Sequence, residues 1–124
     1  MNLQEFKDQL ITEGIASVEK NETRPERIRG GLIGFEICRQ LSSIWDFQEE
    51  LERRHKEESS LIKQQVPLIE YWEYRTATAQ VEYVYERMLV VWSKLGLYEG
   101  PLSARAVLRT ADIVGVEREI NHDR

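Results

Sequence analysis

The chain has 124 residues, of which 41% are hydrophobic and 31% charged, and a net charge of −5. Those proportions belong to a folded, charge-rich single domain rather than to a disordered chain, and a domain of this length buries roughly two-thirds of the surface its unfolded chain exposes. The acidic balance disfavours a dedicated phosphate-backbone binder, because nucleic-acid domains carry a basic face.

Asn2 is placed to cap a first helix. Leu3, Phe6, Leu10, Ile11, Ile15 and Val18 recur at helical spacing, Glu5, Lys7, Asp8, Gln9 and Glu13 fill the other side, and the pattern ends near Lys20. The charges interrupt the apolar core that a signal peptide needs, and no run in the chain nears the ~20 apolar residues of a membrane span. The expectation is a cytoplasmic protein with no membrane partner. Residues 21–24 read as a connection, and Pro25 suits the first turn of a second helix.

On that second helix Ile28, Leu32, Phe35, Cys38 and Leu41 share a face, with Ile33 and Ile37 on its flank. Gly30, Gly31 and Gly34 also fall inside it, and each interior glycine costs about 1 kcal/mol relative to alanine. Close approach of another helix over the glycines would offset that cost; the alternative is that Gly30-Gly31 bends or breaks the helix. Cys38 is the single cysteine, so no intramolecular disulfide forms and a reducing compartment fits. On an apolar face with no histidine near it in sequence, Cys38 reads as buried and inert.

Ser43 and Asp46 have capping-box spacing, so either a third helix starts at Ile44 or the second runs on through the serines. Ile44, Phe47, Leu51, Leu61 and Ile62 continue an apolar face to Gln65, and the run from Glu52 to Glu58 reads as solvated charge with i,i+4 pairing. Val66-Pro67 ends the segment. The longest helix, 67–95, follows. Tyr71, Tyr74, Thr78, Val81, Tyr85, Met88, Trp92 and Leu95 form an unbroken heptad seam, widened by Ala77, Val84 and Val91, and Gly96-Leu97 has the pattern of a glycine stop. After a turn at 98–101, Ser103 is placed to cap a short helix from Ala104 to Val114, closed by Gly115 and Val116. The predicted architecture is an all-α, single-domain up-and-down bundle of four to five helices over 1–116. Residues 117–124 form a polar, frayed tail, and the long-helix seam packs against the Ile28–Leu41 face.

Four constellations bear on chemistry. Glu52 with His55 and Glu119 with His122 are both Glu-x-x-His, the spacing that di-iron bundles use together with two lone glutamates, for which Glu36 and Glu86 are available. His55, however, lies in the most polar run and His122 beyond a helix stop, so both read as surface histidines and no metal or other cofactor is expected. Residues 103–120 resemble a helix-turn-helix in spacing, with Arg105 and Arg109 as candidate nucleic-acid contacts. The segment after Gly115 is short and carries three acids, which would face phosphates. No phosphate loop, dinucleotide fingerprint or nucleophile elbow is present, and no catalytic residue is assigned. Glu36, inside the most apolar helix, is either buried with a basic partner (Arg39, Arg75 or Arg87) or solvent-facing; the second reading is favoured.

The last constellation is a partner surface. Aromatic residues concentrate on and near the long helix, and Tyr83, Leu89 and Val90 fall off its seam. A helix apolar on two sides is central in its own bundle or packs a second chain. The leading expectation is therefore a non-enzymatic protein-interaction or regulatory module acting as a homodimer, with Tyr83, Leu89 and Val90 as the candidate interface. A nucleic-acid-associated regulator using 103–120 and a metal-dependent bundle enzyme are the alternatives.

Overall fold

The computed structural model describes residues 2–100. Within them lie four helices, α1 (Leu3–Asn21), α2 (Pro25–Arg39), α3 (Ile44–Lys63) and α4 (Leu68–Lys94). The expected helix at 104–114, the 103–120 segment with Arg105 and Arg109, Glu119, His122 and the 117–124 tail all lie outside the described residues.

Local signals set the helix ends. Asn2 caps α1 by accepting a hydrogen bond from the Glu5 amide at 2.8 Å. The second and third helices are separate: Ser43 Oγ accepts from the Asp46 amide at 3.1 Å, and the Asp46 carboxylate accepts from the Ser43 amide at 3.1 Å. That reciprocal box terminates any continuation through the serines. The long helix stops where the glycine pattern placed it. Gly96 takes φ +76°, its amide donates to Ser93 O at 3.1 Å, and the Leu97 amide donates to Trp92 O at 2.8 Å. The third helix closes the same way without a glycine. Gln65 takes φ +54°, its amide donates to Ile62 O at 3.1 Å, and the Val66 amide donates to Leu61 O at 3.3 Å. A side chain in that left-handed conformation carries roughly 1–2 kcal/mol of strain.

The glycines of α2 mark close approach, not a break. A Cβ on Gly30 would sit 2.3 Å from Glu73 O, and one on Gly34 would sit 2.5 Å from Ala77 O. Only residues without side chains fit there, and Gly30 and Gly34, one turn apart, present a smooth strip on which α4 lies. Both numbers rise together, so α2 and α4 run parallel. Gly31 faces Val18 and Gly14 faces the Phe35 ring, which makes α1 and α2 antiparallel. Glu58 bonds Tyr71, Arg54 bonds Thr78 and Gln48 bonds Tyr85, so α3 and α4 are antiparallel. The topology is up-down-up-down, as expected. Yet the most extensive contact is the parallel pair α2–α4, which a square bundle would hold on a diagonal. The backbone approach at the glycines collapses that diagonal, and α3 leans almost wholly on α4.

Three expectations change. The long helix packs on α2 as expected, but part of its seam turns to α3. Its residues Tyr71, Thr78 and Tyr85 meet α3, with Phe47 5.8 Å from the Tyr85 ring and 6.1 Å from the Trp92 ring. The flanking strip Glu73, Thr76, Ala77 and Gln80 receives α2 instead, because it lies opposite the glycines. Second, the charge run on α3 is not wholly solvated. Arg54 is 4% exposed; its guanidinium donates to Thr78 Oγ1 at 2.8 Å and to Tyr74 O at 3.2 Å, and lies 4.0 Å over the Tyr74 ring. Third, Lys7 is not on the polar side of α1. It is buried, and its ammonium donates to Leu41 O at 2.5 Å, where the chain leaves α2 and carbonyls lack helical partners.

One contiguous core holds Phe6, Leu10 and Ile11 of α1, Phe35 and Cys38 of α2, Phe47 and Leu51 of α3, and much of α4 from Val81 to Trp92. Burial along α4 is uneven. Met88 through Trp92 are all buried, so the helix is covered on every side there, while its first turns at Leu68, Ile69 and Trp72 are exposed. None of the described helices is long and apolar enough to cross a membrane.

Candidate functional site: the apolar end of the α3–α4 hairpin

The uneven burial of α4 leaves one end of the domain uncovered. Ile62 is 58% exposed, Leu68 74%, Ile69 60% and Trp72 42%. Scattered surface leucines are ordinary, but adjacency is not. Ile62 and Leu68 line one cleft at the hairpin end together with Leu61, Gln65, Val66 and Tyr71. Ile69 lines a second cleft with Glu57, Leu61, Pro67, Glu70, Glu73 and Tyr74. Trp72 follows one turn after Leu68, its ring 5.3 Å from that of Tyr71 and 5.6 Å from the Arg27 guanidinium. Leu61 sits between the clefts and joins them into one apolar end. Fully burying a Leu or Ile is worth roughly 1.5–3 kcal/mol, so three such residues left largely in water forgo several kcal/mol that the fold does not recover.

A polar ladder holds this end in shape. The Tyr71 hydroxyl donates to Glu58 at 2.9 Å, which raises its phenol pKa above the ordinary value, chiefly because that hydrogen bond favours the protonated form. Arg75 lies 3.5 Å from Glu58 and 3.2 Å from Glu82, and His55 Nε2 lies 3.2 Å from the same Glu82 oxygen. Beneath it, Arg54 ties α3 to α4. Burial raises the Tyr74 phenol as well, opposed by the charge of Arg54 beside it. The Tyr74 hydroxyl is buried and makes no hydrogen bond among the described residues. Hydrogen bonds and ion pairs thus brace the two helices that flank the short 64–67 connection, and the apolar crown sits on that braced end.

The candidate interface residues lie elsewhere. Leu89 is 4% and Val90 1% exposed, both inside the common core. A single chain already covers them, so they do not call for a second chain, and the argument for a homodimer from an uncovered second side of α4 loses that support. Tyr83 is half-buried beside a groove formed with Glu13, Gly14, Ser17, Val18, Phe35 and Gln80, and its hydroxyl accepts from Arg87 at 3.3 Å. Glu36 faces solvent and pairs with Arg39, one turn along its own helix. Glu86, the other lone glutamate considered, is buried. His55 is a surface residue that pairs with Glu82 rather than with Glu52, which pairs with Lys56 at 3.3 Å. Among the described residues no three His, Cys, Asp or Glu side chains are placed to share a metal ion. Cys38 is fully buried, and desolvation pushes its thiol up to about 12.

Leu68 and Ile69 escaped the sequence reading because they precede the heptad seam and follow Pro67, where they looked like helix entry. A signal existed: Leu61-Ile62, Val66 and Leu68-Ile69 place five apolar residues within nine positions around a helix turn, more than one turn can bury. No protein-family model, curated protein or solved structure matches this chain.

Proposed function

We propose that this domain is a non-enzymatic protein-interaction module whose contact face is the apolar end of the α3–α4 hairpin. The observation that carries it is the joint exposure of Ile62, Leu68, Ile69 and Trp72 on a hairpin braced by hydrogen bonds and ion pairs. Preorganised apolar surface around an aromatic residue is what an interface core requires, since little conformational entropy is lost when a partner docks. Self-association through this same face is one form of the reading; Leu89 and Val90 are buried in the chain's own core and take no part in it.

The test is the size of the native assembly in extract. The wild-type chain is expected to migrate well above its own 14.6 kDa, and the triple variant Ile62→Ser/Leu68→Ser/Ile69→Ser at the size of the free chain while keeping its helical circular dichroism. Wild type migrating as the free chain, or a variant that migrates with wild type, overturns the reading.

A further inference from the structure

Resting on that reading of the contact face, we infer that its occupant is a polypeptide segment of another protein that carries apolar side chains flanked by lysine or arginine. The second cleft of the face, about 450 Å³, has an apolar floor of Leu61, Pro67, Ile69 and Tyr74 and a rim of three carboxylates, Glu57, Glu70 and Glu73. Among the described residues no lysine or arginine lines it. Glu73 is held by Arg29 at 3.0 Å and Glu57 feels the charge of Arg53 one turn back on α3, whereas Glu70 makes no hydrogen bond or ion pair among the described residues. The face thus combines exposed hydrocarbon with a rim of three carboxylates, of which Glu73 and Glu57 have a guanidinium beside them and Glu70 does not. Lysine and arginine match that combination, laying their methylene stems on apolar surface while the charged head reaches a polar rim.

The same charges decide against a second copy of this chain. Two-fold pairing sets a patch against itself, so this carboxylate rim would approach a second carboxylate rim across the interface, and like charges brought together oppose association. A basic segment instead gains from electrostatic steering toward the cleft.

Two short amphipathic peptides with identical leucine positions, one carrying lysine and the other glutamate at the remaining positions, serve as probes. Their binding to the full chain is followed by the fluorescence of Trp72, with Trp45 and Trp92 replaced by phenylalanine in every protein compared. The lysine peptide is expected to bind saturably and more weakly as salt is added. Glu57→Gln/Glu70→Gln should weaken it roughly tenfold, the scale of two lost ion pairs. Glu19→Gln/Glu49→Gln removes the same net charge elsewhere and should leave binding unchanged. Equal binding of both peptides, abolished by the Ile62, Leu68 and Ile69 serine variant, would overturn the charge inference while leaving the contact face standing. Absence of binding by either peptide would count against both. An equal loss in the two glutamine variants would overturn the inference by reducing it to overall charge.

Discussion

Replacing Gly34 by alanine tests the parallel α2–α4 contact on which this arrangement of helices depends. The new methyl would lie 2.5 Å from Ala77 O, 2.8 Å from Gln80 Cβ and 3.0 Å from Ala77 Cα. Ordinary contacts lie at 3.4–4 Å, so α4 must retreat by on the order of 1 Å, and backbone cannot step aside as a side-chain tip can. Overpacking of this kind costs roughly 1–3 kcal/mol. Against it stands the intrinsic gain of about 1 kcal/mol when alanine replaces a helical glycine. Gly31→Ala supplies the control, because it has the same gain in the same helix but meets only the Val18 methyls, at 3.0 and 3.2 Å. Subtracting one variant from the other cancels the propensity term and leaves the packing term. Urea denaturation followed by circular dichroism should find Gly34→Ala less stable than Gly31→Ala by about 1–3 kcal/mol. Equal stabilities, or a more stable Gly34→Ala, would mean that the two backbones do not approach there.

Other substitutions probe the polar supports. Arg54→Met should cost about 2–4 kcal/mol in the same assay, since Glu50, Thr78 and the Tyr74 carbonyl lose a buried charged partner; a change under ~0.5 kcal/mol would show that water satisfies them equally well. Lys7→Met keeps the apolar stem but strips the Leu41 carbonyl of its donor, and a loss of about 1–2 kcal/mol is expected. Gln65→Gly relieves the left-handed conformation between α3 and α4 and should stabilise by up to ~1 kcal/mol after the greater freedom of glycine in the unfolded chain is subtracted; destabilisation would contradict that geometry. Cys38 gives a pH dependence. Its thiol ionises near its ordinary value in the unfolded chain but only at about 12 in the fold, so the unfolded state loses its proton first. Its contribution is fully present at neutral pH and falls away from about pH 9 to about pH 12, and a serine variant should lack that component of the alkaline decline.

Much of this fold was legible because its signals are local. The Gly96 stop and the long helix before it act within a few residues and form as read, and the Ser43–Asp46 box decides the alternative the serines left open in favour of a separate third helix. The glycines of α2 were legible as a contact because three interior glycines need compensation, and the long helix is the partner they meet, through the strip Glu73, Thr76, Ala77 and Gln80. Which face of a helix meets which neighbour depends on distant side chains, and the seam residues Tyr71, Thr78 and Tyr85 of α4 went to α3 while the strip beside them took α2. Arg54 shows why. Phe47, Leu51, Arg54, Glu58 and Leu61 are spaced 4, 3, 4, 3, so the α3 seam continues straight through the charge run, and residue type masked the period. Lys7 likewise falls four residues from both Leu3 and Ile11, inside the buried stripe. The candidate site was harder still. Tyr83, Leu89 and Val90 were chosen for lying off the seam, but near its C-terminal end α4 is enclosed on all sides. The uncovered surface lies at its other end, where neither α1 nor α2 covers Leu68 and Ile69.

The contact face is tested most directly by photo-crosslinking in living cells from a reactive side chain at position 68, with position 49 on the exposed side of α3 as reference. A discrete adduct of reproducible mass from position 68, absent from position 49, is the predicted result, and its mass separates a foreign partner from a second copy of the chain. Identical patterns from both positions, or no adduct from 68, would contradict the assignment of this apolar end as the site of contact.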